Sequence, residues 1–128
     1  MNYSIGDLII RIKNGYMSHK ETILSPHSKF RVEILTKLKN LGYIKDFEVT
    51  KDKNKRIIID LSYVDSVGAM TDVKIFSIPG RRLYSTVKKI KPVLGGLGVG
   101  IVSTSKGILT DKEAKKQKIG GEFLFEIW

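Results

Sequence analysis

Thr110-Asp111-Lys112-Glu113 sets a helix start inside a stretch that otherwise favours strands, and no other feature constrains the fold of this chain as much. The Thr110 hydroxyl can cap the first turn while Glu113 reaches back to it, the reciprocal pattern of a capping box. Upstream, the glycine-loosened segment Gly95-Gly96-Leu97-Gly98-Val99-Gly100 leads into Ile101 and Val102, which read as a buried strand. Ser103-Thr104-Ser105-Lys106-Gly107 stands at that strand's end, and Ile108-Leu109 resume the apolar pattern. Downstream, a short helix carrying Lys112, Lys115, Lys116 and Lys118 ends before Gly120-Gly121, and Glu122 to Trp128 reads as a last strand. The tip between strands therefore gathers hydroxyls, a cation and a glycine on a wet surface. Ser and Thr hydroxyls donate and accept, so they can pair with ribose hydroxyls and minor-groove base edges. Gly107 lets the backbone come close.

Other readings compete for the same residues. Ser103 and Lys106 fit the S-x-x-K spacing of acyl-serine hydrolases, but no S-D-N or K-T-G companion exists in the chain. The glycines miss G-x-G-x-x-G, because Ile101 stands where the third glycine belongs, and Ser-Lys-Gly is not the Walker order. A polar β-turn with no partner is the bland alternative.

Composition narrows the choice of partner. The net charge is +10, from 23 basic and 13 acidic residues, and both halves of the chain are basic. Such a balance points to a polyanion: RNA, DNA or an acidic membrane surface. A membrane is the poorer choice, since the longest charge-free run, Pro92 to Ser105, is too short and glycine-broken to span. The start, punctuated by Asp7, Arg11 and Lys13, does not read as a signal peptide. With no cysteine, disulfides and thiolate zinc sites are excluded. His19 and His27 lack metal-ligand spacing and read as solvated, so no metal is expected.

The first two-thirds of the chain read as a platform. Ser4 and Asp7 suggest a helix start, Ile5, Leu8, Ile9 and Ile12 form one apolar stripe, and Gly15 is the expected stop. Arg11, Lys13 and Asn14 would then project from the last turn, where the helix dipole alone accommodates cations. Glu21 to Ser25 reads as a strand turning at Pro26. Ser28 caps a second helix with the stripe Phe30, Ile34, Leu35, Leu38 and Leu41 and a stop at Gly42. Lys29 and Arg31 sit at the wrong end of that helix for cations, which an outside anion would explain. Tyr43–Thr50 and Arg56–Tyr63 form a hairpin around a solvated turn, Asp52 to Lys55. Val64 to Met70 has weak periodicity and marks a lobe boundary. Beyond it, Thr71 to Ile78 reads as a strand ending at Pro79-Gly80, followed by Arg81-Arg82-Leu83-Tyr84. Tyr84 is either core or a platform for a base or ribose. Lys88, Lys89 and Lys91 precede Pro92 as a charged connector. The expected fold is α/β (α+β) in two small lobes. Residues 1–66 would be α-β-α-β-β, and residues 67–128 mostly β with a short helix.

The run from Ser103 to Lys116, with Gly120-Gly121-Glu122 after it, resembles the signature of the family of ribosomal protein eight of the small subunit, in its bacterial and organellar branch. The resemblance covers nearly the whole chain. It implies a non-catalytic, cofactor-free protein whose loop enters the minor groove of a helix in the central domain of small-subunit ribosomal RNA. It also implies neighbouring small-subunit proteins, a role in subunit assembly, a cytoplasmic or organellar ribosome, and repression of its own operon through a messenger-RNA mimic. On matching positions it carries RNA contact to Ser103, Thr104, Ser105, Lys106, Gly107, Gly121 and Glu122. It does the same for Tyr84, Arg81, Arg82, Ser28, Lys29, Arg11, Lys13 and Asn14. Two positions depart from the family: Lys13 replaces the usual arginine, removing a bidentate fork, and Ile78 replaces a lysine. A generic DNA-binding protein remains an alternative, distinguished by the absence of 2′-hydroxyl contacts.

Overall fold

Ile5, Leu8, Ile9 and Ile12 are fully buried along one side of α1 (Tyr3–Met17), as their spacing predicts. A computed structural model describes residues 3–76, 84–85 and 98–128. Expectations at Ile78, the Pro79-Gly80 turn, Arg81, Arg82, the lysines at 88, 89 and 91, and the glycines at 95 and 96 lie outside the described residues. The chain divides into two compact units, Ser4–Thr71 and one built on Asp72–Trp128. Both mix helices with antiparallel sheets, an α+β fold.

In Ser4–Thr71, α1 does not stop at Gly15. A Cβ at Gly15 would stand 2.7 Å from Ile23 and 2.9 Å from Leu61, so this glycine marks a close approach to the core. The helix ends two residues later, where His19 turns into the left-handed region at φ 52°. Three strands follow the order β1-β3-β2: β1 (Thr22–Pro26), β3 (Arg56–Asp60) and β2 (Asp46–Val49). Ile57 and Ile59 alternate inward from β3 and are fully buried. The second helix, α2 (Lys29–Leu41), starts at Ser28, whose hydroxyl accepts from the Arg31 N–H, and ends at Gly42 with φ 86°.

The α2 stripe differs from its reading at both ends. Leu41 is exposed and Phe30 half-buried, while Arg31 is buried beside Ile34, Leu35 and Leu38. Its guanidinium Nη1 lies 2.9 Å from Asp7 and 2.7 Å from the Ser25 hydroxyl. The anion that a cation at this helix end requires is therefore internal for Arg31: Asp7 serves it, rather than the α1 terminus. Within the stretch of weak periodicity lies a tight hairpin, residues 63–68. β4 (Tyr63–Val64) pairs with β5 (Val67–Gly68) across Asp65 and Ser66, which take φ of 51° and 67°. Tyr16 fastens it, with its ring against Gly68 and its hydroxyl donating to the Tyr43 carbonyl and accepting from the Ser62 N–H.

The unit on Asp72–Trp128 is organised around its last strand. β10 (Gly121–Ile127) pairs with β6 (Val73–Ile75), with β7 (Tyr84–Ser85) and with β8 (Val99–Thr104). β8 in turn pairs with β9 (Gly107–Thr110). Ile101, Val102, Leu124, Phe125 and Ile127 are buried in this sheet. The helix α3 (Asp111–Lys116) opens with the expected capping box: Glu113 Oε1 accepts from the Thr110 N–H at 2.9 Å, and Thr110 Oγ1 from the Glu113 N–H at 3.1 Å. Buried Asp111 accepts from the Gly100 N–H at 3.2 Å, tying the helix start to β8.

Candidate nucleic-acid interface

The hydroxyl-rich tip is the two-residue connection between β8 and β9, with Thr104 and Gly107 opposite each other. Positive φ falls at Gly107, at 103°, and not at Ser105 or Lys106. Glycine is the residue that adopts this conformation without strain. Thr104 closes the turn from inside: its hydroxyl donates to the Gly107 carbonyl at 2.8 Å and accepts from the Lys106 N–H at 3.1 Å. Both capacities of Thr104 are thus engaged within the fold. Ser105 and Lys106 are exposed, and neither side chain has a partner among the described residues. The turn offers a hydroxyl and an ammonium on a backbone held in place.

Strand register aligns further candidates beside it. Tyr84, Glu122, Ser103 and Ile108 are successive pairing partners across β7, β10, β8 and β9, forming one cross-strand row. Directly opposed residues of antiparallel strands project to the same face, so Glu122 lies beside the half-buried Ser103. Gly121 has a steric reason of its own. A Cβ there would collide with the Ser103 carbonyl, so only glycine lets β10 enter the sheet at this point. Of the S-x-x-K pair, Ser103 is half-buried on β8 and Lys106 is exposed in the connection beyond it.

The candidates in Ser4–Thr71 fall into separate places. Arg11 and Asn14 line an open groove of about 510 Å³ with Ser18, Lys20 and Thr22. Lys13 lies around the helix, beside Tyr16, Met17 and Gly68, as the helical angle between positions 11 and 13 requires. Because α1 continues to Met17, Arg11 is not at a helix end, and the dipole does not account for it. Its Nε pairs with Asp7 at 2.8 Å and its Nη1 donates to the Leu24 carbonyl at 3.1 Å, leaving the guanidinium half-exposed. Ser28 is engaged as the α2 cap, and Lys29 beside it is exposed. Arg81 and Arg82 lie outside the described residues.

Two features escaped the sequence reading. Asp7 holds both Arg11 and Arg31; only its i, i+4 spacing to Arg11 hinted at this. Burial alone would raise the Asp7 pKa, but the hydrogen bonds and charges of Arg11 and Arg31 outweigh it and hold the carboxyl below its usual value. The end of the β2–β3 turn also has more than solvent beside it: Asn54, Lys55 and Arg56 line a second groove, of about 370 Å³, shared with Arg11 and Leu24.

Comparison with known proteins covers the same chain end to end. The sequence matches the family described as Ribosomal protein S8 over residues 3–128. It is 45% identical to a protein of Acholeplasma laidlawii named "Small ribosomal subunit protein uS8", over 100% of this chain and 98% of the relative. A protein of the same name in Rubrobacter xylanophilus is 46% identical, also over 100% of this chain and 98% of its own length. Another, from Erythrobacter litoralis, is 42% identical with the same two coverages. With a match of this extent, joined to the hydroxyl turn and the Gly121-Glu122 entry into the sheet, the chain belongs to the ribosomal protein S8 family.

Proposed function

We propose that this chain is a non-catalytic constituent of the small ribosomal subunit that binds a helix in the central domain of its RNA. The Ser103–Gly107 turn enters the minor groove. The observation that carries the reading is the turn itself: a backbone closed by Thr104 presents Ser105 and Lys106 without internal partners, next to the row of Ser103 and Glu122. Such a surface reads 2′-hydroxyls and base edges through Ser105 and a phosphate through Lys106. Tyr84, whose backbone pairs with Glu122, and Gly121, which precedes Glu122 on β10, are further RNA contacts in this reading. Arg81, Arg82, Arg11, Lys13, Asn14, Ser28 and Lys29 are phosphate or sugar contacts in this reading. Binding of this helix assists assembly of the subunit beside neighbouring ribosomal proteins, and residence is on the ribosome. No helix among the described residues is long and apolar enough to cross a membrane. The same turn represses the chain's own operon by binding a messenger-RNA mimic of the ribosomal helix.

Titration of the central-domain helix against a scrambled helix tests the proposal. Ser105→Ala is expected to weaken cognate binding by about 1–2 kcal/mol, because its partner loses a hydrogen bond in a partly dehydrated groove. The same change should leave stability within about 0.5 kcal/mol, as for other exposed substitutions. Gly107→Val should weaken binding further, since a β-branched side chain opposes positive φ. Unchanged preference for the cognate helix in both variants would refute the turn as the reading element. An operon leader RNA that fails to compete with the ribosomal helix would remove the repression arm alone.

A further inference from the structure

A second cationic surface lies on α3. Lys112, Lys115 and Lys116 are exposed on the helix, Lys118 follows it, and none of the four has a partner among the described residues. The helix's own carboxylates are engaged elsewhere, Asp111 with the Gly100 N–H and Glu113 with the Thr110 N–H. The helix dipole favours Lys115 and Lys116 in the last turn, but it opposes Lys112 in the first. Lys112 and Lys116 also form a like-charge pair four residues apart, which weakens a helix. An external anion accounts for this arrangement. From 112 to 118 the exposed residues are lysines and Gln117, with no exposed apolar or aromatic anchor of the kind protein interfaces use. Spaced cations alone suit the phosphates of a nucleic-acid backbone.

The sheet separates this surface from the cross-strand row. Leu109 packs with Ala114, Ile119 and Phe123, and Val102 pairs in register with both Leu109 and Phe123. The helix therefore covers the sheet face that carries Val102, Leu109 and Phe123. Ser103, Ile108 and Glu122 are the adjacent positions on the same three strands and project to the opposite face. We infer that α3 contacts the phosphate backbone of a second RNA segment, so that this unit holds one segment on each side of its sheet. The inference rests on the RNA-binding reading for the first segment.

The test uses the full chain and the triple variant K112Q/K115Q/K116Q, with two probes: the central-domain RNA hairpin and a labelled RNA duplex of unrelated sequence. The wild type saturated with hairpin should still bind the duplex. The triple variant should bind the duplex about tenfold or more weakly at low salt, with a salt slope shallower by about 2–3. It should keep its hairpin affinity within about twofold, as exposed substitutions away from a site do. The charge-preserving K112R/K115R/K116R should restore duplex binding, which separates lost charge from lost folding. Duplex binding unchanged in the glutamine variant would overturn the inference. So would displacement of the duplex by hairpin in the wild type, or tighter binding of a polyglutamate peptide of equal charge, which would mark an acidic-protein face. A hairpin not preferred over its scrambled version would defeat the first reading alone; loss of duplex binding by the free glutamine variant would still support the α3 surface.

Discussion

Asp7 shows how one carboxylate can govern several candidate contacts. It joins Arg11 on the same helix to Arg31 from α2, while Arg31 also holds Ser25 and Arg11 holds the Leu24 carbonyl. Because Asp7 binds its proton less tightly folded than unfolded, its stabilisation is present above the unfolded value near pH 4 and lost as pH falls through the folded one. Asp7→Asn should therefore cost about 1–2 kcal/mol at pH 7, after allowance for its partial exposure. Denaturant titrations should show that cost shrinking towards pH 3; an equal cost at both values would refute the electrostatic account. Tyr16→Phe should cost about 1–3 kcal/mol at any pH below the tyrosine's range, because it strips the Ser62 N–H and Tyr43 carbonyl of their partner. Arg31 itself was not legible in the sequence. Helical spacing places a residue on a face, but the cation there reads as awaiting an outside anion, because Asp7, its internal partner, is distant in the chain.

Local rules located the elements whose signals lie within a few residues. Ser28 and Gly42 bound α2, and Thr110 with Glu113 opens α3, because caps are made by neighbours in the chain. Gly15 misled because a glycine in a helical pattern is ambiguous: it can end a helix or admit another element, and here Ile23 and Leu61 fill the space. The β4–β5 hairpin was invisible because its two left-handed residues are Asp65 and Ser66 rather than the Asn-Gly or Asp-Gly expected at such a turn. The pair D65N/S66G should accordingly stabilise the protein by about 0.5–1 kcal/mol in thermal unfolding, by easing that turn. No gain would mean that the turn owes its shape to the Tyr16 contact rather than to its own residues. For the candidate site, the hydroxyl turn was legible as a motif. The engagement of Thr104 inside it and the alignment of Tyr84, Glu122 and Ser103 required strand register, which the sequence does not state.

At the scale of the molecule, a charge of +10 predicts that binding to the proposed RNA is a steep function of salt, with a fall of about one to three decades expected between about 50 and 200 mM. Lys29→Ala should reduce that slope by about one without changing preference among RNAs; an affinity flat in salt would refute the polyelectrolyte account. The connectivity of the second unit carries a different consequence. β10 pairs with β6, β7 and β8, and every one of them precedes it in the chain. During synthesis those strands emerge first and wait with open edges, which are templates for mispairing. The row of Tyr84, Glu122 and Ser103 does not exist until Gly121 has slid over the Ser103 carbonyl. A product halted before residue 121 would thus carry the hydroxyl turn in its sequence yet lack the sheet that aims it, so under the proposed function recognition of RNA would double as a test that translation has run through the final strand.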